Sequence, residues 1–508
     1  MKKHMCAILL LIITILSGCS SMSPSESTKE KELLSSPPHG VYYEIFVRSF
    51  YDSDDDGIGD LNGVTEKLDY LSDLGIEGIW LMPINKSPSY HGYDVTDYKS
   101  IDPDYGSSED FKTLVEEAHE RDIKILMDLV VNHTSKRHPW FEDASSSEES
   151  PYRDWYIWAN DETNTTERGE WSQTLWHGSS GNKYYGVFWQ GMPDLNFDNP
   201  EVREEMIDIG EYWLEEYNID GYRLDAAKHI FDSEEKNHEW WREFNSAMKD
   251  INENALLVGE VWDSATIVGP YLDGGLDSTF NFDLSANILN SVKNESDGIV
   301  SSLTRTRSYF NDVSDEYIDS TFITNHDMNR VMSELNGDVE QAKMAASILL
   351  TLPGNPFIYY GEEIGMEGQK PDENIREPMI WSVDKEKEGQ ASWMIAKHNK
   401  DREAISVEAQ MEDDNSLLNH YKKLIHTRRS TEILIEGEIE KSDFREDGIL
   451  TFKRTLDDQS LLVIHNLSDE EKQISLGQEY EQFFSTNDEV SLESSDIIIP
   501  GKTTTILE

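Results

Sequence analysis

The sequence predicts an α/β fold: a closed (β/α)8 barrel of the TIM type, with a domain inserted after the third strand and an antiparallel β domain at the C-terminus. Three observations carry the prediction. From Val41 onward, eight apolar runs alternate with helices of period 3.6, and eight βα units are the arithmetic of a closed parallel barrel. Residues 134–192 break that rhythm with a polar, Trp- and Tyr-rich stretch too long for an ordinary βα loop. Beyond about residue 432, short alternating segments replace the βα rhythm altogether. A doubly wound open sheet is the alternative that periodicity alone leaves standing.

The strand candidates are VYYEIFVRSF (41–50), IEGIWLMPI (76–84), IKILMDLVVNH (123–133), GYRLDAA (221–227), LLVGEVW (256–262), STFNF (278–282), STFITNHD (320–327) and NPFIYYGEE (355–363). Most are dense in Val, Ile and aromatics, the residues that fit a pleated surface. Between them, Val64, Leu68 and Leu71 mark a helix face closed by Gly75. Phe111, Leu114, Val115 and Ala118 mark another, begun after Ser107 and Ser108 with Glu109 and Asp110 where the helix dipole favours anions. Val202, Met206, Ile209 and Trp213 mark a third, and SLLNHYKKLIHTRRS (416–430) is the last barrel helix. ILTFKRT, SLLVIHNL and DIIIP supply the terminal sheet. The expected division is barrel over 39–133 and 193–431, insertion over 134–192, and C-terminal β domain over 432–508.

The 508 residues carry 44 Lys+Arg against 100 Asp+Glu, a formal net charge of −56. Such acidity repels polyphosphates and excludes nucleic acid as a partner. Runs such as SDEEK (468–472) read as solvated surface, and the whole as an exterior adapted to salt. Both cysteines, Cys6 and Cys19, lie in the segment MKKHMCAILLLIITILSGC. Its basic start and short apolar run read as a secretory signal over 1–19, too short for a confident membrane span of about 20 residues. The ending Leu16-Ser17-Gly18-Cys19 resembles the lipobox of bacterial lipoproteins, which implies lipidation of Cys19 and anchoring on the outer face of the cell membrane. Residues 20–38 read as a flexible Ser/Pro/Glu-rich linker.

Chemistry in a parallel barrel collects at the carboxyl ends of its strands. Those ends hold Asp128, Arg223 with Asp225, Glu260, and His326 with Asp327. Each is flanked by apolar residues, where an unpaired charge is costly. A single such carboxylate reads as a structural ion pair; several converging on one mouth suit glycoside hydrolysis, which needs one ionised and one protonated carboxyl.

DLVVNHTS (128–135), GYRLDAAKH (221–229), GEVW (259–262) and FITNHD (322–327) resemble, in order, the four best-known motifs of the α-amylase family, glycoside hydrolase family 13. GIWLMP (78–83), MPDLNF (192–197) and GNPFIYYGEEIGM (354–366) resemble its additional motifs, MPDLN being similar to an intermediate group of the family. The resemblance implies a (β/α)8 barrel with Asp225 as nucleophile, Glu260 as general acid and base, and Asp327 as stabiliser of the distorted sugar. His133 and His326 would donate to sugar hydroxyls, and SYHGYD (89–94) would supply His91 and the stacking platform Tyr93. Arg223, Asp372 and Arg376 would belong to the substrate-binding set, Asp372 contacting the sugar, Arg376 supporting the site and Arg223 also helping to keep Asp225 ionised. Lys228 and His229 resemble the pair that α-amylases set against leaving-chain sugars.

The implied activity is retaining, endo-acting α-amylase hydrolysis of α-1,4 bonds in starch and maltooligosaccharides, by a monomer. Oligo-1,6-glucosidase or α-glucosidase action, glucanotransfer, and a non-enzymatic sugar-binding lipoprotein are the alternatives. DSDDDGIGD (52–60) alternates Asp52, Asp54, Asp56 and Asp60 around Gly57 and could wrap a hard cation, with the Ile58 carbonyl as a further ligand. It is not an EF-hand, because its twelfth position is Gly63. The run resembles the metal loop of oligo-1,6-glucosidases, which implies a structural Ca²⁺, with Mg²⁺ as the alternative.

Overall fold

Period-two alternation along short parallel strands decides what fills the centre of this molecule. The computed structural model describes residues 38–508; the signal segment with Cys19 and the linker up to residue 37 lie outside the described residues. The barrel strands are β1 (Tyr42–Ile45), β2 (Gly78–Leu81), β3 (Lys124–Leu129), β4 (Gly221–Leu224), β5 (Leu256–Gly259), β6 (Ser278–Phe280), β7 (Ile318–Phe322) and β8 (Asn355–Tyr359). Each pairs in parallel with its sequence neighbours, and β1 also pairs with β8, so the sheet closes. Closure removes the open-sheet alternative.

Residues two apart on a strand share a face. On the inner face, Tyr42, Trp80, Leu126, Leu256, Val258, Phe280, Phe322 and Phe357 form one buried cluster. Tyr42 stacks on Phe357 at 4.8 Å, and Phe280 meets Trp80 at 5.3 Å and Phe357 at 5.0 Å between ring centroids. A Cβ at Gly78 would lie 2.3 Å from the Tyr42 ring, so this packing requires glycine on β2. One alternation further toward the carboxyl ends, the same faces carry Glu44, Asp128 and Glu260. On β4, Arg223 is in register with Asp128 on one side and Val258 on the other, which sets its guanidinium directly above the aromatic plug.

Several boundaries differ from the sequence pattern. The run 41–50 leaves the sheet at Ile45, and Val47–Phe50 turns helical as the chain crosses the barrel rim, still burying Val47 and Phe50. The helix face of Val64, Leu68 and Leu71 spans two short helices, Leu61–Glu66 and Leu68–Leu74, which meet at Lys67. The helix Ser108–His119 starts at a reciprocal capping box between Ser107 and Asp110.

The insertion holds a helix, Pro139–Ser146, and a hairpin of Trp176–Ser179 with Asn182–Tyr185. Bridges from His133 to Asp194 and from Tyr156 to Leu195 stitch its two ends to each other beside β3. The C-terminal region has β9 (Glu438–Lys441), β10 (Ile449–Leu456), β11 (Gln459–Asn466), β12 (Lys472–Ser475), β13 (Gln482–Ser485), β14 (Ser491–Glu493), β15 (Asp496–Ile499) and β16 (Thr503–Leu507). They form antiparallel sheets in the orders β9-β10-β11-β16-β13 and β12-β15-β14. Buried Arg454 reaches from β10 to the Thr351 carbonyl at 2.7 Å, tying this sheet to a barrel helix. No helix among the described residues is long and apolar enough to cross a membrane.

Candidate active site

A single guanidinium organises the mouth of the barrel. Arg223 is fully buried, and its Nη1 lies 2.9 Å from Asp128 Oδ1 and 2.7 Å from Asp225 Oδ1. Its Nη2 lies 3.0 Å from Glu260 Oε2, which also accepts the Ala226 N–H at 3.1 Å. Asp225 and Glu260 therefore stand on two arms of one planar group. Asp128 further accepts from Trp80 Nε1 at 3.2 Å and the Tyr93 hydroxyl at 3.0 Å. One cation cannot neutralise three buried carboxylates. Burial pushes Asp128 up to about 7 against the pull of Arg223, and likewise raises Asp225 and Glu260. All three carboxyls thus hold a proton to higher pH than an ordinary carboxyl does.

Asp327 has the opposite environment. Burial would raise it, yet His326 and Arg376 hold it far below the usual carboxylate range. Its Oδ1 lies 3.0 Å from Arg376 Nη2 and its Oδ2 3.1 Å from His326 Nε2. Arg376 Nε also donates to the His326 carbonyl at 3.1 Å, locking both ends of that dipeptide. His326 Nδ1 contacts Glu44 Oε1. Burial would lower His326, but Asp327 and Glu44 outweigh it and lift it to about 9. The imidazole is therefore cationic at neutral pH, with Glu44 beneath it and Asp327 and the Tyr93 hydroxyl above.

These groups surround a cavity of about 1010 Å³, lined among others by His91, Tyr93, His133, Asp225, Glu260, Asp327, Asp372 and Arg376. The Tyr93 N–H donates to His91 Nδ1 at 3.1 Å, which leaves the His91 Nε2–H for the cavity. Lys228 and His229 line the same space, Lys228 Nζ standing 3.0 Å from Asp263. Asp372 pairs with Lys370 at 2.7 Å and lies 3.8 Å from Arg376.

Three expectations are corrected. Arg223 is not a substrate contact: it lies wholly beneath the cavity floor, its charge spent on the carboxylates. His326 is not a sugar donor either, because it is fully buried and Glu44, Tyr93 and Asp327 take both ring nitrogens. His133 does line the cavity, but its Nε2 donates to the Tyr93 carbonyl at 3.0 Å and its Nδ1 faces the Asn132 amide at 3.3 Å. It acts on the site by fixing Tyr93. Sequence reasoning missed Glu44, whose signal is a charge on the inward face of β1, and the wall residues Glu170, Trp171, Phe188, Trp189, Trp262 and Asp263.

At 52–60 the structure brings together Asp52, Asp54 and Asp60, whose carboxylate oxygens lie within 4.8 Å of one another. Asp56 stands outside this group, which corrects the expected ligand set: its carboxylate accepts the Ile58 N–H at 2.8 Å and faces solvent. Asp52 accepts from the Asp55 and Gly57 N–H groups, and Asp60 from Ser53 and Gly63. Asp54, the exposed member, keeps the group open to a hard cation.

The His326 proton is held more tightly in the folded state, at about 9, than the ordinary value of about 6.5. Its stabilising contribution is complete below about pH 6.5 and is lost as pH rises through about 9. Glu44→Gln removes one of the two anions that hold this proton. The alkaline limbs of melting temperature and kcat/KM should move down by about one pH unit or more. Limbs that stay in place would contradict the assignment.

The comparisons agree with this geometry. The model described as "Alpha amylase, catalytic domain" matches residues 44–437, and "Alpha-amylase SusG C-terminal domain" matches residues 449–506. Alpha-amylase 3 of Dictyoglomus thermophilum is 50% identical over 431 residues, 85% of each chain. The 4-alpha-glucanotransferase of Thermotoga maritima is 38% identical over 440 residues, 85% of this chain and 96% of that one. The crystal structure of the alpha-amylase from H. orenii superposes with a TM-score of 0.88 at 47% identity, covering 92% of this chain and 99% of that one. A closed parallel barrel, carboxylates grouped at its mouth and a catalytic-domain match across most of the chain have one reading: the protein belongs to the α-amylase family of glycoside hydrolases.

Proposed function

We propose that the chain is a retaining, endo-acting α-amylase that hydrolyses α-1,4-glucosidic bonds in starch and maltooligosaccharides. The observation that carries this reading is the placement of Asp225 and Glu260 on two arms of Arg223. Retaining glycosidases hold their two carboxyls only about 5–5.5 Å apart, and a shared guanidinium enforces such closeness. We assign the proton donor to Glu260, whose hold on a proton is raised by burial and, against Arg223, by the neighbouring Asp225 and Asp327 charges.

Asp225 attacks the anomeric carbon as Glu260 gives its proton to the departing glycosidic oxygen. Asp327, held ionised, stabilises positive charge growing on the sugar ring. Water then attacks the same carbon, its proton passes to the Glu260 carboxylate, and Asp225 leaves. Lys228 and His229 face the departing chain, in keeping with cleavage inside a chain. Asp225→Asn and Glu260→Gln should each lower kcat on maltoheptaose by about a thousandfold or more, and the first-formed product should be the α-anomer. Near-normal turnover in either variant, or a β-anomeric product, would sink this reading.

Asp52, Asp54 and Asp60 would hold a structural Ca²⁺, with Mg²⁺ as the alternative, and the ion would relieve the repulsion of three clustered carboxylates. It supplies folding stability rather than chemistry. Chelator should then lower the melting temperature by roughly 5 °C, and added Ca²⁺ should restore it. An unchanged melting temperature, with no copurifying metal, would argue against the site.

The same reading places the protein outside the cell, tethered through lipidated Cys19 and adapted to salt by its acidic surface. Cys19→Ser should move activity from the membrane fraction to the soluble one, and NaCl should raise the melting temperature. Retention in the membrane fraction, or a melting temperature that falls with salt, would count against it.

A further inference from the structure

Lys228 and Asp263 each lie three residues beyond a catalytic carboxylate, after Asp225 and Glu260 respectively, and their side chains pair at 3.0 Å. They form the wall on the side of the proton donor, where the leaving chain departs and the next acceptor enters. A third group reaches this wall from the inserted domain. Glu170 Oε1 lies 3.4 Å from Lys228 Nζ and 3.8 Å from His229 Nε2.

Glu170 is presented by a braced tip. Arg168 and Thr174 are bridged, the Gly169 N–H donates to the Gln173 carbonyl at 3.1 Å, and the Trp171 N–H donates to Gln173 Oε1 at 2.9 Å. Gln173 in turn donates to the Val187 carbonyl at 3.2 Å, and the Trp171 ring meets His229 edge-on at 5.5 Å. The carboxylate is therefore held over the acceptor side by its own backbone, and does not merely drift there. Its pair with Lys228 is long and its side chain is 47% exposed, so a sugar hydroxyl can displace it.

We infer that Glu170 is a specificity-determining residue that competes with acceptor sugars for the Lys228 ammonium and so favours water over sugar at the glycosyl-enzyme. The inference rests on the retaining reading above. In the competing step an acceptor hydroxyl oxygen attacks the anomeric carbon, the bond from that carbon to Asp225 breaks with the electron pair returning to Asp225, and the hydroxyl proton passes to the Glu260 carboxylate. The product is a longer oligosaccharide. Asp263 holds the ammonium from the barrel side, and while Glu170 also pairs with it from the insertion, the acceptor must displace Glu170 to reach an N–H of Lys228. Water needs no such displacement.

The test measures products longer than the substrate against products shorter than it, for wild type and Glu170→Gln, with maltotriose over a range of concentrations. The transfer-to-hydrolysis ratio should rise about two- to fivefold in the variant, the size of effect expected for an exposed ion pair. NaCl should raise the wild-type ratio toward that of the variant, because salt screens an exposed pair. A merely structural role for Glu170 would lower both products together and leave the ratio unmoved. An unchanged ratio with normal wild-type turnover overturns this inference alone, as does a falling ratio, which would make Glu170 itself an acceptor ligand. Absence of any wild-type turnover overturns the retaining reading and this inference with it.

Discussion

The site depends on one buried positive charge. Arg223 is the only cation in direct contact with Asp128, Asp225 and Glu260 among the described residues; Arg223 and Asp128 are fully buried, while Asp225 and Glu260 edge the cavity. Breaking a buried ion pair by removing one partner typically costs about 3–5 kcal/mol, and here three carboxyl groups would lose their shared cation at once. The same deficit of positive charge is useful. Because one guanidinium cannot satisfy three carboxylates, the cluster holds protons to higher pH than ordinary carboxyls do, which is what an acid catalyst needs. Strand geometry makes this arrangement unavoidable once the residues are chosen. Asp128 and Arg223 are in register on adjacent strands, and Asp225 follows Arg223 by one alternation on the same face.

A second charge system stands beside the first and has the reverse balance. Around Asp327 the cations His326 and Arg376 lie in direct contact, so this carboxylate stays ionised while its neighbours across the cavity compete for a proton. The two systems meet at the Tyr93 hydroxyl, which donates to Asp128 and stands 2.7 Å from His326 Nε2. Charge separation of this kind, with carboxyls of one cavity pushed to opposite protonation states, is the general signature of acid–base assignment in glycosidases. Beyond it, the insertion supplies the outer wall, so that the barrel fixes the reacting groups and the inserted domain shapes what approaches them.

Much of this was legible in the sequence, for physical reasons. The eight barrel strands fall where β-branched and aromatic runs lie, since inward residues of adjacent strands must fill one plug. Asp225, Glu260 and Asp327 stood out because charges beside apolar residues at strand ends need a partner or a task. Roles in the second layer were not legible. His133 and His326 have the residue type of sugar donors, yet their ring nitrogens go to Tyr93, Asn132 and Glu44, partners that only the fold brings near. Glu44 was passed over because the apolar run reads as strand up to Phe50, which puts it in mid-strand rather than near a carboxyl end. Glu170 lies in an aperiodic insertion, where no face can be read from spacing. In the acidic loop, spacing suggested four carboxylates, but the local turn takes Asp56 for the Ile58 N–H.

The central claim is that Arg223 sets Asp225 as the attacking carboxylate and Glu260 as its proton-carrying neighbour. Trapping the covalent intermediate tests it most directly. A 2-deoxy-2-fluoroglucosyl donor with a good leaving group should react with the protein, because the fluorine slows turnover of the glycosyl-enzyme. Mass spectrometry of the digested protein should then find one fluoroglucosyl group, on the peptide that contains Asp225. An adduct on any other carboxylate, or steady consumption of the donor with no adduct at all, would contradict the account.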